Sequence, residues 1–337
     1  MTHEFKDIVA HYLQVTSKGK LCALVTVVAL NGSSYRKPGV RMLIDSSGGM
    51  TGAVRGGCVE KEIQNKAQSV FANHLPVMMT YDGRYRIGCE GLLYILIEPF
   101  APKSTFIDAF YSAIENRWFM EFHSYYQTTV GAYSNIGTEV IINQLSFSVS
   151  ETILTKNQPC FAQVLPPCYR LYIAGIEHDA QHLCRQAALL GWEVVVLKSL
   201  DQFHDSQAFP DALHVKAMDP SHLSELSIDG YTSFVLMSHN FARDLNYLLQ
   251  LSSLTLPLYI GVLGSTKRME QLFSDLLDRQ ENVSEAFMDR VQGPAGIAIK
   301  AITPPEIAIS ILAQIIAKQR NIPELTPSYP PLLAHEL

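Results

Sequence analysis

The sequence predicts an α/β protein of two domains, a mixed α/β N-terminal domain over residues 1–165 and a Rossmann-like, doubly wound parallel sheet over residues 166–337. Three observations predict it. The chain's 337 residues exceed the usual span of one domain. The pair Pro166-Pro167 punctuates it near the middle. Beyond that pair, β-rich runs alternate with helical ones, as they do in parallel sheets wound by crossover helices.

In the first half, Phe5, Ile8, Val9, Tyr12 and Leu13 form an amphipathic stripe, so an opening helix is expected to end near Gly19. Strands are expected at residues 21–30 and 40–44, separated by a loop rich in turn formers and followed by a turn at residues 45–49. After a short strand at 51–54, Arg55-Gly56-Gly57-Cys58 leads into Val59, Ile63, Ala67, Val70 and Phe71 at helical spacing, which places Cys58 where a glycine turn enters a helix. A strand at 77–81 and the turn at Asp82-Gly83 come next. Gly88-Cys89-Glu90-Gly91 then opens a strand at 92–97 that Pro99 closes. A helix from Phe106 and β-prone pieces at 119–129, 138–142 and 147–153 complete this half without an interpretable motif.

In the second half, strands are expected at 169–174, 193–197, 233–237 and 258–263. The helix at 178–190 turns Ala180, Leu183, Cys184 and Ala187 inward and stops at Gly191. A capping box with proline in the first turn, Thr303-Pro304-Pro305-Glu306, announces the last helix, whose Ile307, Ile311 and Ile315 repeat every four residues.

Charge and composition exclude several classes. A net charge of −6 and no Lys/Arg run offer nothing to a phosphate backbone, so nucleic acid is not an expected ligand. No apolar stretch is long enough to span a bilayer and no signal-peptide pattern opens the sequence, which makes the cytoplasm the expected compartment. The six cysteines are scattered without a C-x-x-C pair, as reduced thiols are.

Four places could carry chemistry. The amides of a helix N-terminus at Gly56-Gly57-Cys58 would lower a thiol pKa or hold a phosphate, with Arg55 and the Ser33-Ser34-Tyr35-Arg36 loop supplying charge and donors. The same cysteine also reads as a small buried residue in a tight turn. Cys89 repeats the glycine setting ahead of a strand. The turn Gly175-Ile176-Glu177-His178-Asp179-Ala180 matches a dinucleotide-binding turn at Gly175 and Ala180, but Glu177 replaces the second glycine, and no carboxylate follows the next strand until Asp201. His239 and Gly264-Ser265 sit just past strands, at the carboxyl edge where open α/β sheets bind ligands.

Together these pieces resemble the XdhC/CoxI family of xanthine dehydrogenase accessory factors. The resemblance rests on Gly32-Ser33-Ser34-Tyr35-Arg36-Lys37-Pro38-Gly39-Val40-Arg41-Met42, Gly52-Ala53-Val54-Arg55-Gly56-Gly57-Cys58-Val59-Glu60 and Gly88-Cys89-Glu90-Gly91 in the first half. In the second it rests on Ser238-His239-Asn240, Tyr259-Ile260-Gly261-Val262-Leu263-Gly264-Ser265, and Gly293-Pro294-Ala295-Gly296 leading to Thr303-Pro304-Pro305-Glu306-Ile307-Ala308. The family's G-x-G-H turn and Gly-Cys-Gly-Gly pattern are altered here at Glu177 and Glu90.

The resemblance implies a non-catalytic chaperone that binds the molybdenum cofactor and helps load its sulfurated form into a xanthine dehydrogenase-type molybdenum hydroxylase. Its implied partners are that enzyme, a cysteine desulfurase and a second copy in a homodimer. The expected cofactor-binding residues are Ser33, Ser34, Arg36, Arg55, Gly56, Gly57, Cys58, Gly88, Cys89, Gly175, His239, Gly264 and Ser265, with Cys58 as the molybdenum contact and candidate reactive thiol and Cys89 as the second. No catalytic residue is assigned. Two other readings stand beside this one. In the first, an NAD(P)-dependent oxidoreductase uses the C-terminal domain, with His239 moving the proton. In the second, Cys58 and Cys89 serve redox chemistry or metal trafficking.

Overall fold

The apolar run near the N-terminus is buried on both faces, and that fixes the layering of the first unit. In the computed structural model, residues 2–33, 37–54, 58–82, 91–202, 207–254, 256–280 and 282–320 are described, apart from the side chain of Cys58. The chain divides between Cys168 and Tyr169 into two units.

The first unit comprises α1 (Thr2–Thr16), β1 (Cys22–Asn31), β2 (Arg41–Asp45), β3 (Met50–Gly52), α2 (Cys58–Asn73), β4 (Val77–Asp82), β5 (Leu92–Pro99), α3 (Ser104–Glu115), β6 (Met120–Tyr125), β7 (Gly131–Ala132), β8 (Gly137–Ile142), β9 (Leu145–Ser148) and β10 (Cys160–Leu165). Six strands in the order β3-β2-β1-β5-β4-β7 form one antiparallel sheet, and β10-β6-β8-β9 form a second. Alternation along β1 sends Leu24 toward Phe5 and Ile8 of α1, Phe106 and Phe110 of α3 and Phe122 of the second sheet. Val25 and Val27 point the other way, into Val59, Ile63, Ala67 and Val70 of α2. A strand covered on both sides reads as continuously apolar, which is why its sequence shows no alternation.

Two features of this unit differ from the expectation. The β-prone pieces form a separate four-stranded sheet, completed by β10, whose burial alternates too weakly to mark a strand. The piece expected at 147–153 ends at Ser148, because the Ser148 hydroxyl donates to the Ser150 carbonyl and the Ser150 hydroxyl to Thr152 Oγ1, local bonds that displace ladder pairing.

The second unit comprises β11 (Arg170–Ala174), α4 (His178–Leu189), β12 (Glu193–Lys198), β13 (His214–Ala217), a 3-10 segment (Pro220–Glu225), β14 (Thr232–Leu236), α5 (Phe241–Ser252), β15 (Tyr259–Val262), α6 (Thr266–Arg279), α7 (Glu285–Met288), β16 (Val291–Gln292) and α8 (Pro304–Gln319). Its six strands are all parallel, in the order β13-β12-β11-β14-β15-β16. The order reverses between β11 and β14, the switch point of a Rossmann sheet. Ala180, Leu183, Cys184 and Ala187 of α4 pack with Ile311 and Ile315 of α8 on one face. Leu245, Leu248 and Leu251 of α5 and Leu272 and Leu276 of α6 cover the other. Glu306 caps α8 by accepting from the Ile302 and Thr303 amides at 2.8 and 3.0 Å. Strands β13 and β16 were not legible, being short and, in β13, without a buried residue. Among the described residues no helix is long and apolar enough to cross a membrane.

Candidate functional site

Strand registers bring the three N-terminal motifs to one end of the six-stranded sheet. Asn31 at the end of β1 and Asp82 at the end of β4 both lie opposite Leu92, where β5 begins. At the same end β2 starts at Arg41, and β3 finishes at Gly52 opposite Met42. A Cβ on Gly91 would lie 2.6 Å from the Ser33 carbonyl oxygen, so only glycine lets the first and third motifs touch. The second motif is anchored beside them by Val54 and Val59, both buried in the core under α2, and α2 opens at Cys58. Ser34, Arg36, Arg55, Gly56, Gly57, Gly88 and Cys89 lie outside the described residues, as does the Cys58 side chain.

Between the two sheets lies a polar cluster that sequence reading missed. Arg41 donates from Nη1 to the Gly39 carbonyl at 3.2 Å and to Gln163 Oε1, and its guanidinium lies 4.4 Å from the Phe122 ring centroid. Among the described residues its Nε and Nη2 have no hydrogen-bond partner. Burial lowers its pKa to about 10, partly offset by Glu98. Glu98 is fully buried and accepts from Thr138 N at 2.8 Å and Thr138 Oγ1 at 2.6 Å. Burial pushes its pKa up to about 7, against the pull of those bonds and of Arg41. Arg41 stood in a quoted motif, but nothing in its spacing showed that it points inward.

At the carboxyl edge of the parallel sheet, Gly175 follows β11 with φ 145°, and a Cβ there would stand 2.3 Å from the Met237 carbonyl oxygen. The first turn glycine is thus required by close packing of the switch-point strands. Glu177 is exposed, at the N-cap of α4 with φ −70°, and its carboxylate bonds no cap amide. That φ needs no glycine, which is how a glutamate is accommodated. His239, at φ 53°, faces Asp179 with Nε2 3.6 Å from Oδ2.

The structure joins His239's turn to Gly264-Ser265 through two residues not foreseen. Asp244 accepts from Ser238 Oγ at 2.6 Å and pairs with Arg268 at 3.0 Å, and the Arg268 amide donates to Ser265 Oγ, the N-cap of α6. Burial raises the Asp244 pKa, opposed by Ser238 and Arg268. Farther along the edge, Lys198 ends β12 where a dinucleotide fold holds the ribose carboxylate, and Lys198 Nζ donates to the Gln202 carbonyl at 2.5 Å.

Motif loops gathered at one end of an antiparallel sheet, followed by a parallel sheet in Rossmann order, define a two-unit α/β protein. Residues 15–82 match the XdhC and CoxI family, and residues 171–315 match the XdhC Rossmann domain. The chain belongs to the XdhC and CoxI family. It is 26% identical over 318 residues to a probable xanthine dehydrogenase subunit of Bacillus subtilis strain 168, covering 89% of this chain and 93% of that one. It is 30% identical over 167 residues to the uncharacterized protein YqeB of Escherichia coli K12, covering 48% of this chain and 30% of that one. The crystal structure of a xanthine dehydrogenase from Bacillus halodurans superposes with a TM-score of 0.76 at 26% identity, over 94% of this chain and 96% of that one.

Proposed function

We propose that the chain is an accessory factor for a xanthine dehydrogenase-type molybdenum hydroxylase, and that it holds the molybdenum cofactor for sulfuration and transfer. The observation that carries this reading is the convergence of three family motifs on one end of the first unit's sheet. The described residues there fit such a ligand. A helix of 16 residues starts at Cys58, so its first amides are available to an anion, and the Gly91–Ser33 contact keeps the loops that bear donors close together. When bound, molybdopterin brings a phosphate and a molybdenum-dithiolene centre. Arg36 and Arg55 would answer the phosphate, and Cys58 would supply a soft ligand toward the metal. The second unit, with Glu177 exposed at the turn, acts in this reading as scaffold or docking surface for the client enzyme, with a cysteine desulfurase and a homodimeric partner completing the assembly.

The test is mass spectrometry of small molecules released from the chain after expression in a host that makes molybdopterin. A pterin is expected, and Cys58→Ala should retain less of it. A dinucleotide, or no ligand at all, would count against the proposal.

The strand order of the second unit favours one other reading, an NAD(P)-dependent oxidoreductase in which His239, held by Asp179, moves a proton at the switch point. Calorimetric titration with NAD(H) and NADP(H) separates the two. Glu177→Gly should gain dinucleotide affinity if that glutamate alone closed the site.

A further inference from the structure

Residues four apart on a helix lie one above the other on a single face. Helix α4 carries a histidine pair at that spacing in its first turns, His178 and His182. Their Nε2 atoms are 3.3 Å apart, with the rings nearly perpendicular at 87°. Two nitrogens held about 2.0–2.1 Å from one tetrahedral zinc ion stand about 3.3–3.4 Å from each other. The pair is therefore spaced as two ligands of a single ion would be.

The surroundings leave room for such an ion. The histidines line an open cleft of about 300 Å³ that Phe209, Pro210 and Asp211 also border. Arg185, a cation lining the cleft, is matched by Asp211 at 3.6 Å, so its repulsion is partly cancelled. Asp179, next to His178 in sequence, is engaged with His239. Among the described residues no third histidine, cysteine or carboxylate joins the pair, so the remaining coordination positions would belong to water or to an external ligand.

We propose that His178 and His182 form an open two-histidine site for a divalent transition ion, zinc first. Imidazole nitrogen suits zinc, copper and nickel, whereas magnesium and calcium take oxygen ligands. Without metal, one ring donates its Nε2–H to the lone pair of the other. On binding, that ring carries its proton on Nδ1 instead, and both Nε2 lone pairs face the ion, with no proton lost. The site needs neither pterin nor dinucleotide and stands whether or not the proposed function holds.

The experiment is calorimetric titration of the full-length, tag-free chain with zinc sulfate, repeated with cobalt(II) to read its visible absorption. One ion per chain is expected. His178→Ala and His182→Ala should each weaken binding by about tenfold or more and abolish the cobalt band, while calcium should not compete. His178 is exposed and His182 partly so, which lets both variants keep their fold, and His182→Gln repeats the test with a larger side chain. Absence of saturable heat up to about 1 mM zinc, or undiminished binding in both alanine variants, would overturn the site and leave the contact a ring-to-ring hydrogen bond only.

Discussion

Asp244 and Arg268 tie together two turns at the carboxyl edge of the parallel sheet: Oδ2 and Nη2 are 3.0 Å apart, the Asp244 side chain 1% exposed and that of Arg268 23%. The other carboxylate oxygen is taken by Ser238, which precedes His239. Removing the guanidinium strands a buried acid whose pKa burial already raises. Arg268→Met should therefore cost about 2–4 kcal/mol of stability, read by chemical denaturation. Adding Asp244→Asn should restore part of it, because the stranded charge is gone. A loss below about 0.5 kcal/mol would mean the pair behaves as a surface contact.

Glu98 makes stability depend on pH in a definite direction. Its pKa is about 7 in the folded chain against an ordinary 4.5, so the folded state holds the proton more tightly than the unfolded one. The stability this gives is complete below pH 4.5 and is lost as pH rises through about 7. Denaturation between pH 5 and pH 8 should show wild-type stability falling relative to Glu98→Gln, by at most about 1.4 kcal/mol per pH unit. Parallel curves for the two proteins would remove Glu98 as the titrating group.

Gly175 tests how the switch point is packed. A methyl group there meets the Met237 carbonyl oxygen at 2.3 Å, and φ 145° is itself unfavourable for alanine. Backbone cannot give way as a flexible side chain can. Gly175→Ala should lower stability by roughly 2–4 kcal/mol, seen as a reduced melting temperature or poor soluble yield. Gly230→Ala, where a Cβ meets no atom of the described residues within 4 Å, is the control and should change little.

The sequence carried the second unit further than the first, for reasons visible in particular residues. In β11, β12, β14 and β15, near-continuous burial gives unbroken apolar runs between glycines and caps, so the strands announced themselves. In β10, exposed and half-buried residues alternate up to the buried Leu165, and its place against β6 depends on a long-range register that no local pattern encodes. The motif loops were legible as glycine turns. Their gathering at one end of the sheet was not, because it follows from Asn31 and Asp82 both facing Leu92. Arg41, Glu98, Asp244 and Arg268 were missed for one reason: a charged residue in a sequence reads as solvated, and only the fold shows that each is drawn into or against a core.

The other thiols allow Cys58, on which the proposed function leans, to be probed in isolation. Burial pushes the pKa of Cys22 and of Cys184 up to about 12, with Asp45 adding to the effect on the first and Asp211 on the second, so neither forms a thiolate near neutrality. Cys168 is buried, whereas Cys160 is exposed at the start of β10 with its pKa also raised by desolvation. Among these four, only Cys160 should react with a maleimide in the folded protein, and slowly. In a Cys160→Ser, Cys89→Ser background, fast labelling then reports Cys58. On the proposed function the amides at the start of α2 would favour its thiolate, so the rate should level off at lower pH than that of a free thiol, whose pKa is about 8.5. A plateau at or above that value, or protection until denaturation, would mean that Cys58 only fills space in a tight turn. The work of the site would then pass to Arg36, Arg55 and the glycine amides.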